Sequence, residues 1–509
     1  MATARLPDDP SFEQLRRQAK DLRDMSRAGL QGALDLVGAH HPDGPHAVSL
    51  AGAQFVVARH YRFSSWAALR RHVTTIERYR RAPDELAETD PNAPADEFLL
   101  FACLRHGGDD APVRWQRAAR LLADHPEITR TSAHAAAAAA DADALEDLLR
   151  GDPALAGTEG GPYRWEPILY LAYARHDPSV SESATVRSAR LLLDHGADPN
   201  AGYLWHGLIP AFTALTGALG SGEGDQPRHP HGLTLARTLL AAGADPNDGQ
   251  ALYNRQFGSD DSHLALLLGH GLGRGDGGPW RERFGERADS PAELIAGQLR
   301  WAVTHDMRDR VRLLAEHGAN LWAPFKAGED RIVTCVNACD GRTPAEVAAV
   351  CGCWTVLDWL VEHGGLPRPA AEGVDGLIAA ALADDRPTAE RLVGHGDAAR
   401  AQRPGLIVWA ASRRAWHAIP LLAELGWDVN ARARVDFPME QKWETALHEA
   451  AGSGEVDAAR MLIELGADPG IRDARFRATP LGWAEHFGQR AMADYLHPLA
   501  PEAAPGPGE

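Results

Sequence analysis

The fold reading turns on T-A-L-H-E-A-A-G-S-G, Thr445–Gly454, and on M-L-I-E-L-G-A-D-P, Met461–Pro469. Each part has a physical job. A threonine just ahead of an apolar run caps a helix, because its hydroxyl accepts one of the first backbone N–H groups. The pair Ala450-Ala451 lets that helix pack closely on its neighbours, and Gly454 ends it. Leu462 and Ile463 give a second helix its buried side. Gly466 supplies the reversal at that helix's C-terminus. Together they predict a helix–turn–helix unit that cannot bury its apolar face alone.

The spacing recurs. Leu462 and Ile463 fall 17 and 18 residues after Thr445, and Gly466 falls 21 after it. At the same offsets, Thr343-Pro344 leads to Leu360, Val361 and Gly364, and Thr479-Pro480 leads to Leu496. Weaker copies begin at Gly405, Asp375, Gly297 and Gln250. T-S-A-H, Thr131–His134, precedes Ala136, Ala137, Leu148 and Leu149. Two segments keep only the ending, L-L-L-D-H-G-A-D-P-N to Asn200 and L-L-A-A-G-A-D-P-N to Asn247. With a divergent helix pair near 95–127, the count is about eleven units.

This pattern closely resembles the ankyrin repeat, T-P-L-H-x-A-A-x-x-G with a Leu-Leu second helix and a G-A-D-x-N approach to a hairpin. The resemblance extends over roughly residues 95–497. It implies an all-α ankyrin-repeat solenoid, with hairpin fingers along one edge, over 96–497. His134 and His448 occupy the motif's histidine position, whose family role is to bond the hairpin backbone.

Residues 1–81 have no such register. Ser11, with Gln14 three residues on, opens a helix whose apolar stripe is Phe12, Leu15, Ala19, Leu22 and Met25. A second helix is expected over 29–39, a third capped by Ser49, and a fourth from Ser65-Trp66 to near Tyr79. F-V-V-A-R-H-Y-R-F-S-S-W-A-A-L-R-R-H-V, Phe55–Val73, resembles a leader module that precedes bacterial ankyrin arrays. The expected role of this small helical domain is to cap the first repeat. Residues 82–95 read as a linker, and the Pro/Gly/Ala-rich 498–509 as a disordered tail.

Composition narrows the function classes. The net charge of −18 argues against nucleic acid and anionic lipid as partners, since phosphate contacts need surplus positive charge. No segment approaches the apolar length of a membrane span, and the N-terminus lacks a secretory pattern. Five cysteines, an odd number in a long chain, fit a reducing cytoplasm better than a disulfide framework. Lysine is scarce (Lys20, Lys326 and Lys442 only), which fits the coding bias of a GC-rich bacterial genome.

Cofactor chemistry finds little support. Cys335, Cys339, Cys351 and Cys353 have a zinc-like look, but Thr343 and Cys351 are separated by about 12 Å of helix. They are read as ordinary thiols. His40, His41 and His46, and the pair His229 and His231, are read as exposed loop residues. There is no GxSxG, Walker loop, strand-linked GxGxxG or HExxH, and G-L-G-R-G-D-G-G-P-W, Gly271–Trp280, reads as a flexible insertion. No catalytic residue, metal or cofactor is assigned.

The insertions carry the functional expectation. Segments 272–293, 322–341 and 431–443 are read as fingers bearing Trp280, Arg281, Phe284, Trp322, Phe325, Lys326, Arg331, Phe437 and Trp443, with Tyr203 and Trp205 on an earlier one. Trp, Tyr and Arg are enriched at interface hot spots. The expected function is a cytoplasmic protein–protein scaffold that holds a partner protein on the concave face and the fingers. The alternative is an enzyme or small-molecule sensor with a pocket among the fingers, roughly 272–341.

Overall fold

The computed structural model describes residues 6–7, 10–86, 94–222, 224, 226–325, 339, 341–434 and 442–499. Lys326, Arg331, Cys335 and Phe437 lie outside them, as do most of the expected linker and tail. The chain divides into two compact units, Met1–Ile295 and Ala296–Glu509. No described helix is long and apolar enough to cross a membrane.

Unit one begins with α1 (Phe12–Arg27), α2 (Gln31–His40), α3 (Leu50–His60) and α4 (Trp66–Tyr79). Serine hydroxyls set three of the starts: Ser11 accepts from the Gln14 N–H, Ser49 from Gly52 and Ser65 from Ala68. Leu15, Ala19 and Leu22 of α1 are buried against Val56, Val57 and Leu69, whereas Met25 ends up exposed.

The rest of unit one is two layers of short helices. Ala133–Ala138 packs on Pro167–Tyr173, which packs on Ala214–Leu219. Outside them, Ala142–Gly151, Glu182–Asp194 and Gly232–Ala241 follow one another. The pieces are uneven, from the four residues of Ile128–Thr131 to the thirteen of Pro112–Asp124. Tyr163, Trp165, Tyr170, Tyr173, Tyr203 and Phe212 fill the space between them, with Trp165 stacked on Tyr203 at 4.9 Å.

Strands are few. Among the described residues, β1 (Arg80–Arg81), β2 (Gly202–Trp205) and β3 (Phe212–Thr213) form one sheet. Here β1 pairs in parallel with β2, and β2 antiparallel with β3.

Unit two is also helical. Thr343 caps Pro344–Cys351 with a full capping box: the Glu346 carboxylate accepts the Thr343 N–H at 2.8 Å, and the Thr343 hydroxyl accepts the Glu346 N–H. Thr343→Ala should therefore cost about 1 kcal/mol, read as a shift in the urea midpoint. Pro344–Cys351 packs on Gly373–Leu382, which also meets Gly396–Gln402 and Ile419–Glu424.

These observations correct the expected architecture. An all-α ankyrin solenoid of about eleven matched units with repeated hairpin fingers is not what the helices build. Helix lengths vary several-fold, 3₁₀ turns interrupt the run, and the sheet draws one strand from just after α4. Segment 272–293 is no finger: it holds the helix Gly278–Phe284, which lies against α4. The histidine at 229 is also not an exposed loop residue, being 5% exposed.

Candidate functional site

The aromatic residues expected to bind a partner are mostly spent on packing. Tyr203 is 1% exposed, inside the aromatic cluster. The half-buried Trp205 donates its indole N–H to the Arg105 carbonyl at 3.2 Å. Trp280 lies 4.9 Å from Tyr79 and donates to the Asn200 carbonyl, while Phe284 is buried with Ile76 and Leu204. Arg281 donates to the carbonyl of Ala288.

In unit two, Phe325 is 5% exposed and its backbone pairs with Gly341 and Arg342. Trp322 is exposed, with no cation or ring set beside it among the described contacts. The expected concave-face scaffold with fingers is thereby overturned. The alternative placed a pocket among those same fingers, and of its described aromatic residues Trp280, Phe284 and Phe325 close onto the body while Trp322 stays exposed. A small cleft does exist elsewhere, lined by Leu171, His176, Asp177 and His229, with room for about one water molecule.

Trp443 is different. It lies half-buried with the guanidinium of Arg434 4.3 Å from its ring centroid and that of Arg475 at 4.2 Å. The local fold explains this placement. His448, at the start of the helix Ala446–Ser453, accepts the Thr445 N–H on Nδ1. The proton therefore sits on Nε2, which donates to the Ala478 carbonyl at 3.1 Å. Burial lowers the His448 pKa, which keeps the ring neutral in this role. That bond fixes loop 471–478 beside 442–444, and the Ala474 N–H donates to the Trp443 carbonyl.

Asp473 organises the loop from inside. It is 2% exposed and accepts the backbone N–H groups of Arg475, Phe476 and Ala478 and the indole N–H of Trp483. Burial pushes its pKa up, but those hydrogen bonds prevail and hold it below the ordinary carboxylate value. With Asp473 turned in, Arg475, Phe476 and Arg477 point outward and are exposed. Arg477 sits at φ 57°, a left-handed conformation rare for a bulky residue. Its carbonyl accepts from Arg472 at 2.8 Å, which helps hold it there.

Among the described residues of these segments, the exposed charges have one sign. Arg432, Lys442, Arg472, Arg475 and Arg477 are exposed, and Arg434 is half-buried. The carboxylates of 431–434, 442–444 and 471–478 are Glu444 and Asp473, both buried. Among the described residues, Arg432 and Arg472 spend their donors on backbone carbonyls. Arg475 lies on Trp443 and Phe476, and Phe476 is 66% exposed.

The family model of the ankyrin repeat matches residues 442–474, which spans the helix pair beside this surface. No match reaches the remainder, so the wider resemblance over 95–497, and with it the bacterial ankyrin protein with a leader module, is corrected to this one segment. No curated protein matches the chain.

Of the eleven residues expected from sequence, Trp443 alone joins this surface among those described. Arg432, Arg434, Arg472, Arg475, Phe476 and Arg477 were missed. The available signal was R-x-R at 432–434 and R-x-x-R-F-R at 472–477, on either side of the T-A-L-H motif.

Proposed function

We propose that the protein binds an acidic segment of another protein on the Arg434–Trp443–Arg475 surface. The observation that carries this reading is a tryptophan flanked by two guanidiniums, with further exposed cations around it and both carboxylates of the described segments 431–434, 442–444 and 471–478 turned inward. Guanidinium forks match carboxylates in geometry as well as charge. Trp443 and Phe476 add apolar area that an acidic segment with interspersed aromatic or aliphatic residues would cover. The chain's net −18 supports the direction of the reading, since acidic ligands are repelled elsewhere and drawn to this patch. Buried cysteines that form no disulfide among the described residues, Cys103, Cys339, Cys351 and Cys353, suit a cytoplasmic setting for the same reading.

The test is fluorescence anisotropy with a labelled Glu/Asp- and Phe-containing peptide, its Lys-substituted counterpart and a single-stranded oligonucleotide. The acidic peptide alone should bind, more weakly as salt rises. Arg475→Glu should weaken it by more than about tenfold, roughly 1.4 kcal/mol, with an unchanged melting temperature because the side chain is exposed. Preference for the oligonucleotide, or affinity indifferent to both Arg475→Glu and Trp443→Ala, would overturn the proposal.

A further inference from the structure

The loop joining α2 to α3 reads H-H-P-D-G-P-H, His40–His46. Its geometry is set locally. His41 leaves α2 in an extended conformation, Pro42 and Pro45 stiffen the chain, and Gly44 at φ 80° reverses it. His46 is thereby brought back onto His41, with ring centroids 4.9 Å apart and edge to face. Asp43 lies between them in sequence, its Oδ2 3.7 Å from His41 Nδ1. One ligand atom from each of His41, Asp43 and His46 lies within 4.8 Å of the others, and no other described group of three does this.

One of the two imidazoles already has its proton placed for ligation. His46 donates from Nδ1 to the Gly44 carbonyl at 2.7 Å, which leaves the Nε2 lone pair bare. His41 Nδ1 accepts the Asp43 N–H at 3.3 Å, a long bond whose place an ion bound at that nitrogen would take. Donating the other ring N–H to a carbonyl, as His46 does, is how ligating histidines are oriented in metal sites. The His41 ring is held from behind by Phe55, 6.0 Å away and edge to face. Its side chain is 15% exposed, so its position is set before any ion arrives.

We infer that His41, Asp43 and His46 form a binding site for one zinc-class divalent cation, which staples the loop between α2 and α3. Two imidazoles and one carboxylate are borderline ligands that suit Zn²⁺ and its neighbours in the transition series, and disfavour Mg²⁺ and Ca²⁺. Three protein ligands leave the remaining position of a tetrahedral ion to water. Zinc bonds of about 2.0–2.1 Å put ligand atoms about 3.4 Å apart, against up to 4.8 Å here, so the triad must close by up to about 1.4 Å. Asp43, exposed and on a short side chain, is the group free to make that move. This reverses the sequence expectation that these histidines are merely solvated. It is independent of the acidic-segment reading, which concerns unit two.

The experiment uses the full-length chain with no histidine tag, stripped by chelator and titrated calorimetrically with ZnCl₂ and separately with MgCl₂. Thermal melting is followed in parallel. One zinc per chain should bind and raise the melting temperature, with magnesium weaker by more than about 100-fold. His46→Ala and Asp43→Asn should each weaken zinc by more than about tenfold. His60→Gln should leave it unchanged, although His60 lies 5.5 Å from His40. Zinc binding that survives both His46→Ala and Asp43→Asn, that is lost with His60→Gln, or that magnesium equals would overturn the inference.

Discussion

Arg175→Met should cost about 3–5 kcal/mol of the stability of residues 1–295, enough to unfold much of the unit at moderate urea. The guanidinium is 6% exposed and is satisfied by backbone alone. It donates to the carbonyls of Ala172, Ala174, Gly217 and Pro227 at 2.7–3.0 Å. Ala172 lies in the last turn of Pro167–Tyr173, Ala174 is its C-cap, and Gly217 lies in the last turns of Ala214–Leu219. One side chain therefore closes the C-termini of two neighbouring helices, where carbonyls lack helical partners and a positive charge is favoured. Gly220, at φ 59°, helps leave the room, since a Cβ there would stand 2.9 Å from Arg175 Nη2.

Burial lowers the Arg175 pKa to about 10, still charged at neutral pH. Methionine keeps the volume and removes every donor, so the loss reports the carbonyls left dry. Lysine should not rescue, because three donors on one point cannot reach four diverging oxygens. A urea-melt difference below about 1 kcal/mol for Arg175→Met would refute this account.

Acidification should bring the second large effect, and His72 is where it can be isolated. His72 of α4 is 8% exposed between Phe63 at 5.0 Å and Phe284 at 5.8 Å. Burial pushes its pKa down to about 4, with the nearby charge of Arg287 adding to the shift. A lowered imidazole pKa means the unfolded chain takes up the proton first. His72's contribution is thus fully present above about pH 6.5 and is lost as pH falls from there towards 4. Between pH 6.5 and 5 the loss is about 2 kcal/mol.

His176, pushed to about 4, and His106, pushed to about 3, both by burial, act in the same direction. Glu166 acts in the opposite one. Burial and the Asp198 and Glu159 charges raise its pKa to about 7, so it contributes stability as pH falls below that. The measurement is therefore a difference. Urea melts at pH 7.5 and 5.0 should show a pH dependence about 2 kcal/mol smaller in His72→Leu than in the parent. Identical pH dependence in the two proteins would sink the assignment.

How much of this was legible follows from the range of the interactions involved. The starts of α1, α3 and α4 were readable because Ser11, Ser49 and Ser65 cap within three residues of themselves. The same locality misled in the middle of the chain. A leucine pair a few residues before a glycine marks the end of any short helix that closes through a left-handed residue. Gly196, Gly243, Gly271 and Gly318 all sit at positive φ and do this. The common offsets recorded helix length, which many architectures share.

Aromatic residues failed as binding markers for the opposite reason. Trp280 is covered by Tyr79, some two hundred residues earlier, and Tyr203 by Trp165. No local pattern announces such partners. The arginines beside Trp443 were hidden by arithmetic, since a net −18 says nothing about where the positive charges stand.

The pairing of β1 with β2 sets a schedule for the growing chain. Arg80 lies opposite Leu204, Arg81 lies opposite Trp205, and the His206 N–H donates to the Arg81 carbonyl at 2.8 Å. Synthesis runs from the N-terminus, so α1–α4 leave the ribosome long before these partners exist. During that interval Ile76 lacks Leu204, Ala211 and Phe284, the residues that cover it in the finished unit. Closing so long a loop adds an entropic cost that local helix packing does not meet. The N-terminal helices thus wait with a bare strand and an apolar patch on display, and a ribosome that stalls before residue 204 leaves them open to chaperones and to one another.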